Sequence, residues 1–318
     1  MRKKIPSLFF IYLFRMIPNP APVQRLHDPL FEARQVQVYL KREDLLHSTI
    51  SGNKWRKLKY NLQAARQQGK NILLTFGGAY SNHIAAVAAA GKEFSFQTIG
   101  FIRGEEHLPL NPTLAFATAC GMQFQYLDRE TYRYRSNPNF IEDLQKQFPA
   151  AYILPEGGTN LLAVQGCTEI VKEVSISYDY ICCAVGTGGT VAGLIAGMAG
   201  EKQIIGFPAL KGGEFLKEGI TQLVTDYTSQ AYHNWELQTN YHFGGYAKVK
   251  PDLIDFIRYF KQQHQVQLDP VYTGKMLFGI YDLIRQNYFE AGSVIVAVHT
   301  GGLQGIAGMQ ERLGINFA

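Results

Sequence analysis

The sequence predicts an α/β fold in which two open, twisted and mostly parallel sheets are flanked by helices. Short runs rich in branched and aromatic residues alternate with stretches of helical spacing along nearly the whole chain. This alternation is typical of parallel sheets that carry helices on both faces. The 318 residues contain more strand–helix units than one hydrophobic core accommodates, so we expect two sheets rather than one.

Seven segments have the length and composition of strands, and helical spacing separates them. The predicted strands are Val36–Leu40, Ile72–Phe76, Phe96–Ile102, Gln123–Leu127, Tyr180–Val185, Gln203–Phe207 and Val294–Val298. One predicted helix carries four apolar residues on a single face, namely Trp55, Leu58, Leu62 and Ala65. Alanines between residues 85 and 90 make another helix, suited to close packing.

Composition and charge exclude several classes of protein. The chain is 46% hydrophobic and 18% charged, which is typical of a globular protein and not of a disordered one. The formal net charge is +5, but four basic residues near the N-terminus supply most of it: Arg2, Lys3, Lys4 and Arg15. The rest of the chain has no basic patch of the kind that binds nucleic acid. The four cysteines form no Cys-x-x-Cys pair, so we expect free, buried thiols in a reducing compartment and a cytoplasmic protein.

The first 18 residues have an unusual composition. A basic start and the apolar run Ile5–Phe14 are similar to a short signal peptide, which makes secretion an alternative to a cytoplasmic location. The run lacks a small-residue cleavage site and is much shorter than the roughly 20 residues that span a bilayer. We therefore expect no membrane segment, and we interpret residues 1–18 as a dispensable extension with Met16 as a candidate start.

A ligand of such a fold is expected beyond the carboxyl ends of the strands, where loops lead into helices. The first loop with unusual chemistry is Ser51-Gly52-Asn53-Lys54, whose serine or asparagine can cap a helix that runs to about Gln68. A lysine in the first turn faces the positive end of the helix dipole. The dipole and partial burial lower its pKa and favour the neutral, nucleophilic amine. An exposed charge beside Lys57 and Lys59 is the alternative.

Two further loops combine glycines with polar residues. Gly77-Gly78-Ala79-Tyr80-Ser81-Asn82-His83 follows the predicted strand at 72–76, and its glycines allow a ligand to approach the backbone closely. Val298-His299-Thr300-Gly301-Gly302 repeats this arrangement after the last apolar strand. A purely structural turn is the alternative for each loop.

The loop Gly186-Thr187-Gly188-Gly189-Thr190 is the strongest single signal. Backbone N–H groups and two hydroxyls at the start of a helix form a cradle for an anion. The loop is not a Walker A motif, because no Gly-Lys pair of the chain is followed by Ser or Thr. It also lacks the dinucleotide fingerprint, because Val191 stands where the third glycine belongs. It therefore suits a single phosphate monoester, with a structural glycine turn as the alternative.

Together these loops supply a reactive lysine, a phosphate cradle and polar groups on one rim of the predicted fold. Pyridoxal phosphate needs this set: an amine for its aldehyde, an anion site for its phosphate, and partners for its ring oxygen and nitrogen. The sequence therefore predicts pyridoxal 5'-phosphate, bound as a Schiff base to Lys54.

At these residues the sequence strongly resembles the 1-aminocyclopropane-1-carboxylate deaminase/D-cysteine desulfhydrase family, which belongs to the tryptophan-synthase-β-like, fold-type-II pyridoxal-phosphate enzymes. The matching motifs occur in order from residue 20 to the C-terminus: Pro20-Ala21-Pro22-Val23-Gln24, Lys41-Arg42-Glu43-Asp44, Gly52-Asn53-Lys54, Ser81-Asn82-His83, Pro155-Glu156-Gly157-Gly158, the 186–190 loop, Gly245-Tyr246, Asp269-Pro270-Val271-Tyr272-Thr273-Gly274-Lys275 and His299-Thr300-Gly301-Gly302. The resemblance implies a large cofactor-binding domain formed by residues 19–56 and 167–318, and a small α/β domain at 57–166. It also implies a homodimer that acts on a small amino acid.

The resemblance assigns catalytic and substrate-binding roles. Lys54 would anchor the cofactor and act as the main proton shuttle. Ser81 would contact the substrate carboxylate. Tyr246 and Tyr272 would frame the substrate, one of them assisting proton transfer. The remaining substrate-binding residues would be Asn82, His83 and Thr273.

The resemblance also assigns the cofactor contacts. Asn82 would bond the ring hydroxyl, and Thr300 would face the pyridine nitrogen. The phosphate would be held by the glycine loop, that is by Gly186, Thr187, Gly188, Gly189 and Thr190.

Residue 273 separates two activities within the family. Deaminases of the cyclopropane amino acid have a sequence similar to Tyr-Glu-Gly-Lys after the Asp-Pro-Val step, and desulfhydrases one similar to Tyr-Thr-Gly-Lys; this chain has Thr273. A hydroxyl such as that of Thr300 does not hold a proton on the pyridine nitrogen, so the ring is a weaker electron sink. β-Elimination tolerates this because the departing thiolate relieves the carbanion directly. The resemblance therefore favours a lyase that converts D-cysteine to pyruvate, hydrogen sulfide and ammonia.

Alternatives to this function remain open. The first is deamination of 1-aminocyclopropane-1-carboxylate to 2-oxobutyrate and ammonia. The chain departs from the family at Tyr80, where Gln is common, and at Ile84-Ala85, where Thr-Arg or Val-Arg is common. These departures allow a changed pocket, and they motivate a catalytically silent ligand-binding protein as a second alternative. A nicotinamide-dependent oxidoreductase is disfavoured by Val191.

Overall fold

The computed structural model describes residues 20–317. The predictions for residues 1–18 therefore concern a segment outside the described residues. Within 20–317 no helix is both long and apolar enough to cross a membrane. All four cysteines are unpaired, and Cys120 alone among them is only partly buried.

Ten strands form in the described part of the chain. They are β1 (Val23–Leu26), β2 (Gln37–Lys41), β3 (Ile72–Gly77), β4 (Gln97–Arg103), β5 (Met122–Leu127), β6 (Ala151–Leu154), β7 (Tyr180–Val185), β8 (Gln203–Pro208), β9 (Trp235–Leu237) and β10 (Val294–Val298). All seven predicted strands are confirmed, each within one residue at either end. The strands that the sequence pattern missed are β1, β6 and β9, which have only three or four residues each and carry too little periodicity.

Helices occupy most of the segments between the strands. They are α1 (Pro29–Ala33), α2 (Asn53–Gln67), α3 (Asn82–Phe94), α4 (Pro112–Ala119), α5 (Pro138–Gln147), α6 (Leu161–Lys172), α7 (Gly189–Met198), α8 (Leu216–Thr228), α9 (Pro251–His264), α10 (Thr273–Arg285) and α11 (Gly305–Leu313). Short 3₁₀ helices cover Glu43–Leu45, Thr131–Tyr134, Glu156–Gly158 and Gly213–Phe215.

The strands assemble into two separate sheets. The larger has six strands in the order β1-β2-β10-β7-β8-β9, and only the β1–β2 pair is antiparallel. The smaller has four parallel strands in the order β5-β4-β3-β6. The predicted fold class is therefore confirmed. Because neighbouring parallel strands end at the same edge, the loops that follow β2, β7 and β10 begin side by side.

Helices α2 and α6 join the two sheets. They pack so closely that a Cβ on Gly166 would lie 1.9 Å from the backbone oxygen of Arg56. The four-stranded sheet uses strands from 72–154 and the six-stranded sheet strands from 23–41 and 180–298. The predicted domain boundaries at 56/57 and 166/167 fall inside α2 and α6, and the division into domains stays a prediction.

Candidate active site

A cavity of about 260 Å³ opens where loops from both sheets meet. Three of the predicted site residues line it, namely Lys54, Asn82 and Thr300. Its remaining walls are formed by Ser48, Thr49, Ser51, Ala85, Ala86, Pro112, Phe116, Gly302 and Gln304. None of these cavity-lining residues of the described chain carries a carboxylate.

The loop that carries Lys54 is held against the loop after β10. Gly52 has φ +66°, and a Cβ there would lie 2.0 Å from the backbone oxygen of Thr300, so only glycine fits. The backbone N–H of Asn53 donates to that same oxygen at 3.2 Å. Gly52 is the N-cap of α2, and no side chain within the described residues caps the helix. The prediction that Ser51 or Asn53 caps α2 was therefore wrong.

Asn53 instead connects Lys54 to the glycine loop. Its Nδ2 donates to Thr190 Oγ1 at 2.8 Å, while its Oδ1 accepts from Lys54 Nζ at 2.8 Å. Asn53 and Thr190 are both buried. The loop that carries Lys54 and the 186–190 glycine loop therefore do meet, through the side chain of Asn53.

The environment of Lys54 favours a neutral amine. Burial, followed by the positive charge of Lys57, lowers the pKa of Lys54 to about 7. The alternative of an exposed charge beside Lys57 and Lys59 is wrong, because Lys54 is partly buried and these two neighbours are only 3% and 5% exposed. At neutral pH a substantial fraction of Lys54 is thus unprotonated and nucleophilic.

The glycine loop leaves the N-terminus of α7 open. Gly188 is the N-cap with φ +86°, and no side chain of the described residues bonds to the first-turn N–H groups. A Cβ on Gly188 would lie 2.7 Å from the side chain of Ile220, so glycine is required here. Uncapped N–H groups at the positive end of a helix form an anion site.

Lys57 is a site residue that the sequence analysis missed. Its Nζ donates to the backbone oxygen of Gly157 at 3.0 Å and to Thr159 Oγ1 at 3.2 Å. A Cβ on Gly189 would lie 3.2 Å from this Nζ, so the cation stands directly beside the glycine loop. Its spacing of three residues from Lys54, which places both on one helical face, was the available signal.

These residues fit pyridoxal phosphate. A phosphate monoester requires N–H donors, hydroxyls and a cation at one point, and the α7 N-terminus, Thr190 and Lys57 supply them. The glycine positions leave room that a side chain would fill. Lys54 supplies the amine, and Asn82 and Thr300 supply polar groups in the same cavity.

Two neighbouring polar residues before and at the start of α3 have different positions: Ser81 caps the helix, and Asn82 lines the cavity. Ser81 caps α3, since its Oγ accepts from the backbone N–H groups of His83 and Ile84 at 3.2 and 3.3 Å. Asn82 lines the cavity, and its Oδ1 accepts from Gln304 Nε2. Ser81 is therefore the N-cap of α3, and its hydroxyl proton remains available to a ligand.

The two predicted tyrosines lie together beside the glycine loop. Their hydroxyl oxygens are 3.5 Å apart and their rings meet edge to face, with centroids 6.1 Å apart. A Cβ on Gly186 would lie 3.2 Å from the ring of Tyr272. Burial, followed by the neighbouring Tyr246, raises the pKa of Tyr272 well above its ordinary value. The Tyr272 phenol therefore keeps its proton at neutral pH.

The structure turns two of the predicted substrate residues away from the cavity. His83 is buried, and its Nε2 lies 2.9 Å from Thr75 Oγ1. Thr273 is fully buried, and its hydroxyl donates to Asp269 Oδ2 at 2.6 Å. Neither side chain lines the cavity, and the assignment of both residues to substrate binding stays a prediction.

Of the two residues 80 and 85, at which the chain departs from the family pattern, only the second lines the cavity. Tyr80 packs on α11, where a Cβ on Gly308 would lie 2.8 Å from its ring, and it does not line the cavity. Ala85 does line the cavity and adds apolar surface to its wall.

Comparison with known proteins agrees with this geometry. Residues 16–301 match the family model described as "Pyridoxal-phosphate dependent enzyme". A Pyrococcus abyssi protein named "Putative 1-aminocyclopropane-1-carboxylate deaminase" is 31% identical, over 94% of each chain. The Klebsiella pneumoniae "D-cysteine desulfhydrase" is 27% identical, over 90% of this chain and 93% of that protein. A crystal structure of an "ACC deaminase homologue" superposes with a TM-score of 0.83 and 28% identity, covering 97% of this chain and 99% of the other.

Proposed function

Because the chain belongs to the pyridoxal-phosphate dependent enzyme family, we propose that it is a lyase for a small D-amino acid with a β-leaving group. Its proposed substrate is D-cysteine, which would give pyruvate, hydrogen sulfide and ammonia. The observation that carries the proposal is Lys54, whose pKa is lowered to about 7 first by burial and then by the charge of Lys57. An amine of this kind beside an anion cradle is suited to a cofactor that has an aldehyde and a phosphate.

The proposed phosphate contacts come from three elements. The uncapped N-terminus of α7 offers backbone N–H groups, Thr190 offers a hydroxyl, and Lys57 offers a positive charge. When bound, pyridoxal phosphate supplies an electron sink for the charge left when the Cα proton of an amino acid is removed. Asn82 and Thr300 would hold its ring oxygen and nitrogen.

Proton transfers are assigned to Lys54 and Tyr272. The neutral Lys54 amine accepts the Cα proton, and the hydrogen bond from its Nζ to Asn53 Oδ1, 2.8 Å long, orients it. The Tyr272 phenol, which is protonated at neutral pH, would donate a proton to the departing thiolate. Ser81 keeps its hydroxyl proton for the substrate carboxylate while its oxygen caps α3.

The choice of β-elimination rests on the lining of the cavity. Thr300 presents a hydroxyl there, and none of the described cavity-lining residues presents a carboxylate. A hydroxyl does not hold a proton on the pyridine nitrogen, so the electron sink is weaker. Loss of a thiolate in the same step as proton removal reduces the demand on that sink.

The test compares substrates on the purified holoenzyme. D-Cysteine, L-cysteine and 1-aminocyclopropane-1-carboxylate are supplied separately, and sulfide, pyruvate, 2-oxobutyrate and ammonia are measured. We expect sulfide and pyruvate in equal amounts from D-cysteine. Release of 2-oxobutyrate in place of these products would favour the deaminase, the second candidate, which the name of the Pyrococcus abyssi relative supports.

The anchor is tested independently of the substrate. Borohydride reduction of the holoenzyme, followed by peptide mass spectrometry, should place the pyridoxyl group on Lys54 and no other lysine. The Lys54→Ala variant should acquire no covalent label. A label on Lys57 would contradict the assignment of that lysine to the phosphate.

We further propose that the enzyme is a cytoplasmic homodimer; the unpaired cysteines support the location, and the family resemblance alone supports the dimer. Light scattering of the purified holoenzyme tests the dimer, because a monomer would have a mass close to 35.7 kDa.

A further inference from the structure

Gln304 bridges the two walls of the cavity. It lies in the loop between β10 and α11 and lines the cavity itself. Its Nε2 donates to Asn82 Oδ1, and its Oε1 accepts from Thr113 Oγ1 at 3.3 Å. Both partners belong to segments next to the four-stranded sheet, at the start of α3 and in the first turn of α4. One side chain thus connects the loop after β10 to both of these helices.

The Gln304 amide is oriented with Oε1 toward the hydroxyl of the buried Thr113 and with its NH₂ group toward Asn82. A donor on that side requires Asn82 to present its oxygen. The Asn82 NH₂ group then lies on the other side, where a Cβ on Gly302 would be 2.8 Å from Nδ2.

The helix that follows Gln304 is itself anchored on the loop before α3. Gly308 in α11 has no side chain, and the ring of Tyr80 occupies that space, since a Cβ there would lie 2.8 Å from it. The guanidinium of Arg312 lies 6.0 Å from the centre of the same ring. Tyr80, at which the chain departs from the family, therefore packs the loop that precedes Asn82 against α11, the helix that follows Gln304.

We propose that Gln304 is a positioning residue that sets which face of the Asn82 amide is turned to the cofactor. This inference rests on the proposed function, in which Asn82 bonds the ring hydroxyl of pyridoxal phosphate. With Gln304 in place, Asn82 offers an N–H donor to that ring oxygen. A reversed amide would oppose two acceptor oxygens and lose the hydrogen bond.

The test uses the absorption spectrum of the holoenzyme and its affinity for pyridoxal phosphate. Gln304→Glu keeps the shape of the side chain but replaces the donor by an acceptor, so Asn82 is expected to reverse. We expect a changed ratio of the absorption bands of the bound cofactor and an affinity weakened about tenfold. Gln304→Met, which lacks a donor and adds no charge, should change the spectrum in the same direction. Gln310→Glu, in the helix that follows Gln304, is the matched control: Gln310 bonds Asn316 at 2.8 Å, and the change should leave both readouts unchanged.

A double-mutant cycle separates positioning from a general structural effect. Because Gln304 acts through Asn82, the Gln304→Glu change should have no further effect on spectrum or affinity in an Asn82→Ala background. An undiminished effect in that background would overturn the proposal, and so would an unchanged spectrum in both Gln304 variants. If Asn82→Ala alone leaves the spectrum unchanged, the assignment of Asn82 under the proposed function fails, and the role of Gln304 fails with it.

Discussion

The side chain of Asn53 donates a hydrogen bond of 2.8 Å to the hydroxyl of Thr190, although 137 residues separate the two along the chain. Asn53 is the first residue of α2 and precedes Lys54, whereas Thr190 lies in the first turn of α7, at the end of the glycine loop. The bond therefore fixes the distance between the reactive amine and the anion cradle. A cofactor held at both points requires this distance to be constant.

Asn53→Ala should weaken binding of pyridoxal phosphate. The substitution removes the hydrogen bond to Thr190, which does not involve the Lys54 nitrogen that forms the Schiff base. Such a bond contributes about 0.5–1.5 kcal/mol, so we expect an affinity reduced roughly 2- to 12-fold. Fluorescence titration of the apoenzyme measures it. Asn139→Ala, an exposed asparagine in α5, is the control. Equal affinities for the two variants would show that the hydrogen bond between Asn53 and Thr190 is not needed for cofactor binding.

Lys57→Met should raise the pKa of Lys54. Burial is the main cause of the lowered value of about 7, and the positive charge of Lys57 is the second. Removal of that charge makes protonation of Lys54 easier, so its pKa rises, while burial keeps it below the ordinary lysine value. The reaction of the apoenzyme with pyridoxal, which has no phosphate, should increase with pH through about 7 in the parent protein and at higher pH in the variant.

The same variant separates the two roles of Lys57. Because pyridoxal lacks the phosphate, a shift of its pH profile reports only on the Lys54 amine. A loss of affinity that appears with pyridoxal phosphate but not with pyridoxal reports on the phosphate contact. A pH midpoint that stays in place or moves downward would contradict the proposed coupling between the lysines.

The loops of the site could be predicted from the sequence because their chemistry is local. Glycine at positions 52 and 188 is required by backbone conformation and by close neighbours, and the sequence shows glycine there directly. The direction of a side chain is not local. Thr273 and His83 belong to matching motifs but are turned into the core by Asp269 and Thr75.

The burial of charged residues could not be predicted from the sequence. A lysine or arginine on a helix is normally exposed, which is why an exposed charge at Lys54, beside Lys57 and Lys59, stood as an alternative. Arg56, Lys57 and Lys59 are in fact buried. Their burial could not be predicted from α2 alone, because their partners lie far away in sequence. Arg56 and Lys59, for example, pair with Glu169 at 3.2 and 2.7 Å. Pairing of this kind depends on the packing of α2 against α6 and left no signal in the sequence of either helix alone.

Glu43→Gln should destabilise the fold markedly. The Glu43 carboxylate is fully buried, accepts from Arg56 Nε at 2.9 Å and Nη2 at 3.1 Å, and lies 3.6 Å from Lys41 Nζ. Its loss leaves Arg56 with Glu169 and Glu173, and Lys41 with Glu173 alone, so we expect a cost near the lower end of the about 3–5 kcal/mol that is typical of a broken buried ion pair. Urea denaturation measures this decrease in the free energy of unfolding. Glu142→Gln, which breaks an exposed pair with Lys146 on α5, should change stability by less than about 0.5 kcal/mol. Similar losses in the two variants would contradict this account.

Thr273→Glu should fail to produce a deaminase, because residue 273 does not line the cavity. The Thr273 hydroxyl donates to Asp269 Oδ2 at 2.6 Å and accepts from the backbone N–H of Asp269 at 3.1 Å. A glutamate there would place a second carboxylate against a buried one, so we expect lower stability and no turnover of 1-aminocyclopropane-1-carboxylate. Thr273→Val, which removes only these hydrogen bonds, should cost about 1–3 kcal/mol, and Thr273→Ser should behave as the parent protein.

The Thr273 substitutions should also affect catalysis, because Thr273 bonds the Asp269 carboxylate. The Asp269 carboxylate also accepts from the backbone N–H of Tyr272 at 2.8 Å, so it holds the proton donor of the proposed reaction in place. Loosening of this carboxylate in Thr273→Val should lower kcat for D-cysteine more than it changes KM, because Tyr272 is misplaced rather than removed. Thermal unfolding of the three Thr273 variants measures the effect on stability, and steady-state kinetics measures the effect on kcat and KM. New 2-oxobutyrate production by a stably folded Thr273→Glu variant would show that this residue reaches the substrate after all.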